Sequence, residues 1–218
     1  MYRLLLAGIV TMTSPAMASA ETIRLFAAGS LRATLTEVVR AFEARTGGQN
    51  VETEFAASGL LRERIERGEA AHVFASADLG HPAKLAAAGR AKARPAVFAR
   101  NQLCALARDG VRITTETMLD VLLDPGVRLG TSTPRADPSG DYAYALFAKA
   151  EAQKTGARAV LEGKALQLTG RPNSEKAPEG KNLYGWVMSS GKADVFLTYC
   201  TNAVLARKDV PGLQIVQI

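Results

Sequence analysis

Ala27-Ala28-Gly29-Ser30-Leu31 and its counterpart Ala56-Ala57-Ser58-Gly59-Leu60 decide the fold. In the first, an apolar run (Ile23, Leu25, Phe26) reaches small residues, then serine, then a helical pattern; in the second, Val51 and Phe55 alternate with Thr53 and acids before the same sequence of events. Both read as strand-to-helix turns with Ser30 and Ser58 as N-caps. A helix start leaves backbone N–H groups without intrahelical partners and carries partial positive charge, so two such ends facing one cleft would hold a small oxyanion. The plainer reading is that each serine only caps its helix, a contribution of about 1 kcal/mol.

Working outward, Leu31, Leu35, Val38, Val39 and Phe42 recur at helical spacing up to Thr46-Gly47-Gly48, and Leu60, Leu61 and Ile65 form a second helix stopped at Gly68. A third strand, Val73 to Ser76, precedes a helix opened by His81-Pro82 and closed by Gly89. Strand, helix, strand, helix implies parallel strands with right-handed crossovers and a ligand at their carboxyl ends, where both serines fall. Val97 to Ala99 and Leu103 to Ala107 are strand-like, and a helix from Glu116 to Leu123 leads to a strand from Val127 to Leu129. A second α/β unit begins here. Asp137-Pro138-Ser139-Gly140-Asp141 opens a further helix with Tyr142, Ala145 and Leu146 as inward candidates, while residues 157–170 fit helix or strand equally. Gly170 to Gly180 reads as a surface loop, Asn182 to Ser190 as a short helix, Ala193 to Tyr199 as an apolar strand, 201–207 as a helix and Leu213 to Ile218 as a strand.

The chain starts with Tyr2 and Arg3, an apolar run from Leu4 to Val10, and Ala18-Ser19-Ala20 before Glu21, the pattern of a secretory leader cleaved after Ala20. That run is too short to span a bilayer. The expectation is an exported, soluble protein, unless the leader stays uncleaved as an anchor, whose remaining residues form one sizeable core or two small lobes. Net charge is +6, or +5 without Arg3, and the densest basic run (Arg62, Arg64, Arg67) alternates with Glu63, Glu66 and Glu69 as on a solvated helix face. A nucleic-acid reading lacks its basic stripe with interleaved aromatics. Cys104 and Cys200 are the two cysteines, and composition alone leaves both a disulfide and two buried thiols open.

Four phrases in order resemble a known family: Phe26 to Leu31; Ala57-Ser58-Gly59 with Leu61 to Ile65; Val73-Phe74-Ala75-Ser76-Ala77-Asp78; and Asp194-Val195-Phe196-Leu197-Thr198-Tyr199. Together they are similar to the molybdate-binding periplasmic proteins of ABC importers, over most of residues 22–217. The resemblance implies an α/β, two-lobed type II solute-binding protein, each lobe a mainly parallel sheet flanked by helices. It implies residues 21–101 plus 201–218 as lobe I, 102–200 as lobe II, and a hinge of two crossover strands. It further implies a monomer that binds molybdate or tungstate, needs no cofactor, performs no chemistry, and delivers the anion to a membrane permease. Ligand contacts carried over are the hydroxyl and N–H of Ser30 and Ser58, the N–H of Ser139, the N–H near Leu183, and the hydroxyl of Tyr199. Neutral fixed donors of this kind hold a dianion without the desolvation cost of a buried Lys or Arg.

His72 stands where relatives commonly have Asp, close enough to the expected cleft to alter the ligand or its pH dependence. Relatives also generally continue past the equivalent of Ile218 with a strand and helix that complete the first lobe. The crossings in this fold fall near Asn101–Ala105 and Tyr199–Asn202, which would put Cys104 and Cys200 on neighbouring hinge strands within reach of a disulfide. Three other classes are weaker. His72, His81, Asp78 and the cysteines match no strong metal spacing. A hydrolase using Ser30 or Ser58 with His72 or His81 lacks the Gly-x-Ser-x-Gly elbow. A same-fold protein for sulfate, phosphate or a small organic anion is the serious alternative, and a non-transporting sensor, resting on the shorter C-terminal part, is a further one.

Overall fold

The computed structural model describes residues 21–218; the expected leader, residues 1–20, lies outside the described residues. Two sheets organise the chain. The first has three parallel strands, β1 (Ile23–Ala28), β2 (Val51–Ala56) and β3 (Val73–Ala75), in the order β2-β1-β3. Its crossovers are α1 (Arg32–Arg45), which follows a 3₁₀ turn at Gly29–Leu31, and α2 (Ser58–Glu66); α3 (Gly80–Ala87) comes after β3. Leu25, Ala27 and Ala75 are buried, and Leu31, Leu35, Val39, Val51 and Phe55 pack on them. The expected α1 stripe therefore splits: Leu35 and Val39 face the sheet, while Val38 and Phe42 are exposed.

Residues 88–102 carry the chain across to the second lobe without regular structure, so the strand expected at Val97 to Ala99 is absent. Nothing pairs with that segment, and a lone apolar triplet does not make a strand without a ladder. The second sheet has five strands: β4 (Leu103–Ala107), β5 (Leu129–Ser132), β6 (Leu166–Thr169), β7 (Val195–Tyr199) and β8 (Gln214–Gln217), ordered β6-β5-β7-β4-β8. β5 is parallel to β6 and β7, whereas β4 is antiparallel to β7 and β8.

Helices α4 (Met118–Leu123), α5 (Pro138–Gln153) and α6 (Ala157–Lys164) cover one face, where Phe147, Leu161, Leu129 and Leu197 are buried together. On the other face, α7 (Leu183–Ser189) and α8 (Cys200–Asp209) enclose Phe196, Met188, Val187 and Ala203. β7 is buried along its whole length because both faces are covered, which explains its continuous apolar run. Asp194, at its entry, ties three elements together: it accepts from the Arg108 guanidinium after β4 at 2.6 Å and from the Arg128 guanidinium and N–H before β5 at 2.7–2.9 Å. Those arginines hold its carboxyl down at about 2.

Two expectations are corrected. Residues 201–218 belong to the second lobe: β8 pairs with β4 from Cys104↔Gln217 to Ala107↔Gln214, so the chain does not recross to lobe I after Tyr199. The inward face of α5 is Ala143, Phe147 and Ala150; of the expected Tyr142, Ala145 and Leu146, only Leu146 packs against that core, at its edge, while Tyr142 and Ala145 are exposed. Residues 157–170, open to either reading, divide into α6 and β6. Cys104 and Cys200 form a disulfide across 96 residues, fastening β4 to the start of α8.

Candidate functional site

The carboxyl ends of β1, β2 and β3 meet the second lobe. Ser58 is the first residue of α2 rather than its cap, which is Ala57, and no side chain caps that helix; Ser30 likewise sits inside the 3₁₀ turn. The N-cap expectation fails at both serines because the chain turns earlier than expected: the helical turn begins at Ser58 itself in the second case and at Gly29, ahead of Ser30, in the first. This frees the hydroxyls. Ser58 is fully buried, and its Oγ accepts the Ala77 N–H at 3.1 Å, so its own O–H is left to donate.

Two bonds join the lobes here. The Gly59 N–H donates to the Ala136 carbonyl at 2.8 Å, and the Tyr199 hydroxyl donates to the Ala77 carbonyl at 3.2 Å. Gly59 has to be glycine in this arrangement, since a Cβ would stand 2.6 Å from the Ala136 oxygen. On the facing side Arg135 is held at φ 68°, its N–H bonded to Asp141 Oδ1 at 2.8 Å. A non-glycine residue in the left-handed region is a local strain, here accepted where the lobes touch.

Between the lobes lies a cavity of about 490 Å³ whose walls include Ser30, Ser58, Leu183 and Tyr199. Ser139 does not line it. Its N–H donates to Asp137 Oδ1 at 3.0 Å, and its hydroxyl lies 2.9 Å from Ser132 Oγ and 3.1 Å from the same carboxyl oxygen. The ligand N–H expected at Ser139 is consumed by the cap of its own helix. Sequence reasoning misses Asp137 as a wall residue, together with Tyr184, Asn202, Arg32 and Lys181. Asp before a proline that opens a helix is the available signal for the cap.

Burial pushes the Tyr199 phenol well above its ordinary range and the Tyr184 phenol up to about 12, so both stay protonated donors at neutral pH. Burial also raises the Asp137 carboxyl. Arg32 lies 4.6 Å over the Phe55 ring and donates to the Phe55 carbonyl at 3.3 Å, which leaves part of its guanidinium to the cavity. A second cavity of the same volume sits on the other side of Tyr199, but it gathers Val97, Phe98, Leu79 and Ile218 and neither Ser30 nor Ser58. His72 lies at the edge of the first sheet, where its Nδ1 accepts the Arg24 N–H at 2.8 Å; it does not reach the serine-lined cavity. Among the described residues, no three His, Cys, Asp or Glu side chains are grouped to hold a metal ion.

The profile of the bacterial extracellular solute-binding proteins matches residues 23–218. An uncharacterised protein of Pasteurella multocida is 41% identical over 182 residues, covering 83% of this chain and 74% of that one. The molybdate-binding protein ModA of Mycobacterium tuberculosis is 32% identical over 150 residues, covering 62% of this chain and 58% of that protein. The chain thus spans less than two thirds of that mycobacterial relative. Among solved structures, the sulfate-binding protein SubI of Mycobacterium tuberculosis superposes with a TM-score of 0.67 at 20% identity, over 90% of this chain and 70% of that one. The periplasmic molybdate-binding protein of Azotobacter vinelandii gives 0.57 at 21% identity, over 81% and 71%.

Proposed function

Because the chain belongs to the bacterial extracellular solute-binding proteins, we propose that it captures a tetrahedral oxyanion, molybdate or tungstate, between its lobes and presents it to the permease of an ABC importer. Its fold is the two-lobed type II periplasmic binding-protein fold. The observation that carries the reading is the cavity at the ends of the parallel strands. There a buried serine hydroxyl with its proton free (Ser58) and a second serine (Ser30) meet the phenols of Tyr184 and Tyr199 from the facing lobe, Tyr199 donating to a ligand by exchanging its bond to the Ala77 carbonyl. Fixed neutral donors suit a small anion, and Arg32 and Lys181 add positive charge at the cavity walls. In this reading the protein is exported, acts as a monomer and leaves the ligand chemically unchanged.

A second reading, a larger or differently charged anion such as phosphate or a small organic anion, is favoured by one observation. At about 490 Å³ the cavity is within the range of organic-ligand pockets. Thermal unfolding of residues 21–218 with molybdate, tungstate, sulfate and phosphate separates the two. A ligand at a thousand times its dissociation constant adds about 4 kcal/mol, a shift of several degrees at this size. A shift with molybdate and tungstate, lost in Ser58→Ala, supports the first reading; a shift with phosphate or sulfate in their place moves the assignment to the second.

A further inference from the structure

Among the described residues, Asp137 is the one acid whose carboxyl both caps a helix and forms part of the cavity wall, and its two oxygens are used differently. Oδ1 takes the Ser139 N–H and lies beside the Ser139 hydroxyl, the Ser132 hydroxyl also approaches the carboxyl, and among the described residues no hydrogen bond of good geometry is made to Oδ2. No described Lys, Arg or His pairs with it, and the oxygen-rich surroundings are Thr169, Ser132 and the phenols of Tyr184 and Tyr199. Asp141, one turn along α5, adds a like charge. The cations that share the cavity, Arg32 on α1 and Lys181 before α7, make no ion pair with Asp137.

A carboxylate so placed would repel any anion entering beside it, unless a proton lies between them. Building on the anion-binding reading, we propose that the cleft binds its oxyanion together with one proton, held between the ligand and Asp137 Oδ2. The proton has two sources. A fully ionised ligand such as molybdate or sulfate accepts a hydrogen bond from a protonated Asp137, which requires uptake of a proton from solvent; a hydrogen-bearing ligand such as hydrogen phosphate brings its own and donates it to the carboxylate. Burial favours the neutral acid in the first case. In both, the complex gains stability from a hydrogen bond that neither partner forms when both are ionised.

The test is calorimetric titration of residues 21–218 with molybdate, tungstate, sulfate and phosphate between pH 5.5 and 8.5, repeated in buffers of different ionisation heat so that protons are counted. For an ionised anion that binds, about one proton is taken up at pH 8, and the dissociation constant rises toward tenfold per pH unit in that range. For phosphate, uptake at pH 8 is near zero because the dianion already carries its proton. Asn caps helices as well as Asp, so Asp137→Asn retains the cap while removing the titration. In this variant proton uptake disappears and the pH slope for molybdate flattens. Binding of an ionised anion without proton uptake overturns the inference and leaves the anion reading standing, as does a wild-type slope in Asp137→Asn. Absence of binding by all four anions removes both.

Discussion

Adding one methyl group at Gly59 separates closure of the two lobes from contact with whatever lies between them. In Gly59→Ala the new Cβ would stand 2.6 Å from the Ala136 carbonyl oxygen, 2.7 Å from that of Arg135 and 2.8 Å from the Ala136 Cα. All three are backbone atoms and none can swing aside. Restoring an ordinary contact of about 3.4 Å requires the lobes to part by roughly 0.8 Å, which stretches the 2.8 Å Gly59 N–H to Ala136 bond beyond hydrogen-bond length. That bond is worth about 1 kcal/mol, or roughly fivefold in affinity; if the Tyr199 to Ala77 bond is lost with it, the total is about 2 kcal/mol and roughly thirtyfold. The unliganded lobe should not suffer. Gly59 is the second residue of α2 with ordinary helical backbone, where alanine is favoured over glycine by up to about 1 kcal/mol. The assay pairs calorimetric titration with molybdate, or with whichever of the other three anions shifts the unfolding temperature, and thermal unfolding of the free protein. A weaker complex with an unchanged or slightly raised free unfolding temperature is expected. An affinity within twofold of wild type would refute the closure argument, and a large fall in free stability would show that Gly59 matters within its own lobe.

The second lobe and α3 yield three more tests. Asp194 has its carboxyl lowered to about 2 in the folded state, below the unfolded value of 3.8. Its contribution is therefore complete above about pH 4 and disappears as pH falls toward 2, and acid titration of Asp194→Asn should lack that loss while starting from a lower stability. Reducing Cys104–Cys200 should cost about 4 kcal/mol for so long a loop, or roughly 8–16 °C in unfolding temperature, measured by a scan with and without reductant. His81 is buried with neither ring nitrogen bonded, and burial lowers its pKa below 6.5. Stability should decline as pH drops through 6.5, since the unfolded chain takes the proton more readily, and His81→Leu should flatten denaturant midpoints between pH 5 and 7.

The first lobe is legible in the sequence because its signals are local: alternation in β1 and β2, glycine stops after α1, α2 and α3, and a crossover order that fixes parallel pairing. β8 is recognisable as a strand but not as a member of its lobe. Its alternation fixes its conformation, whereas its pairing with β4 depends on register and packing between segments far apart in the chain. At the cleft, small residues followed by serine mark both strand-to-helix turns, yet the caps are misread because the helical turns start one residue early at Ser58 and two early at Ser30. At Ser139 the residue-by-residue transfer of a backbone donor fails for a chemical reason present in the sequence. An aspartate two positions earlier claims that N–H for itself.

The two sheets also differ in what they require of the chain over time. The first draws every strand from residues 23–75, whereas the second cannot form its centre until β7, residues 195–199, lies between β4 and β5. Long-range pairing of that kind is slow, because loop closure must precede the contacts that stabilise it. The disulfide spans the same interval, so it can form only after Cys200 has arrived. A chain delivered from its N-terminus would thus present the serine turns of β1 and β2 before the lobe that closes over them exists, with the oxidation of Cys104 and Cys200 marking the moment when the cleft acquires its second wall.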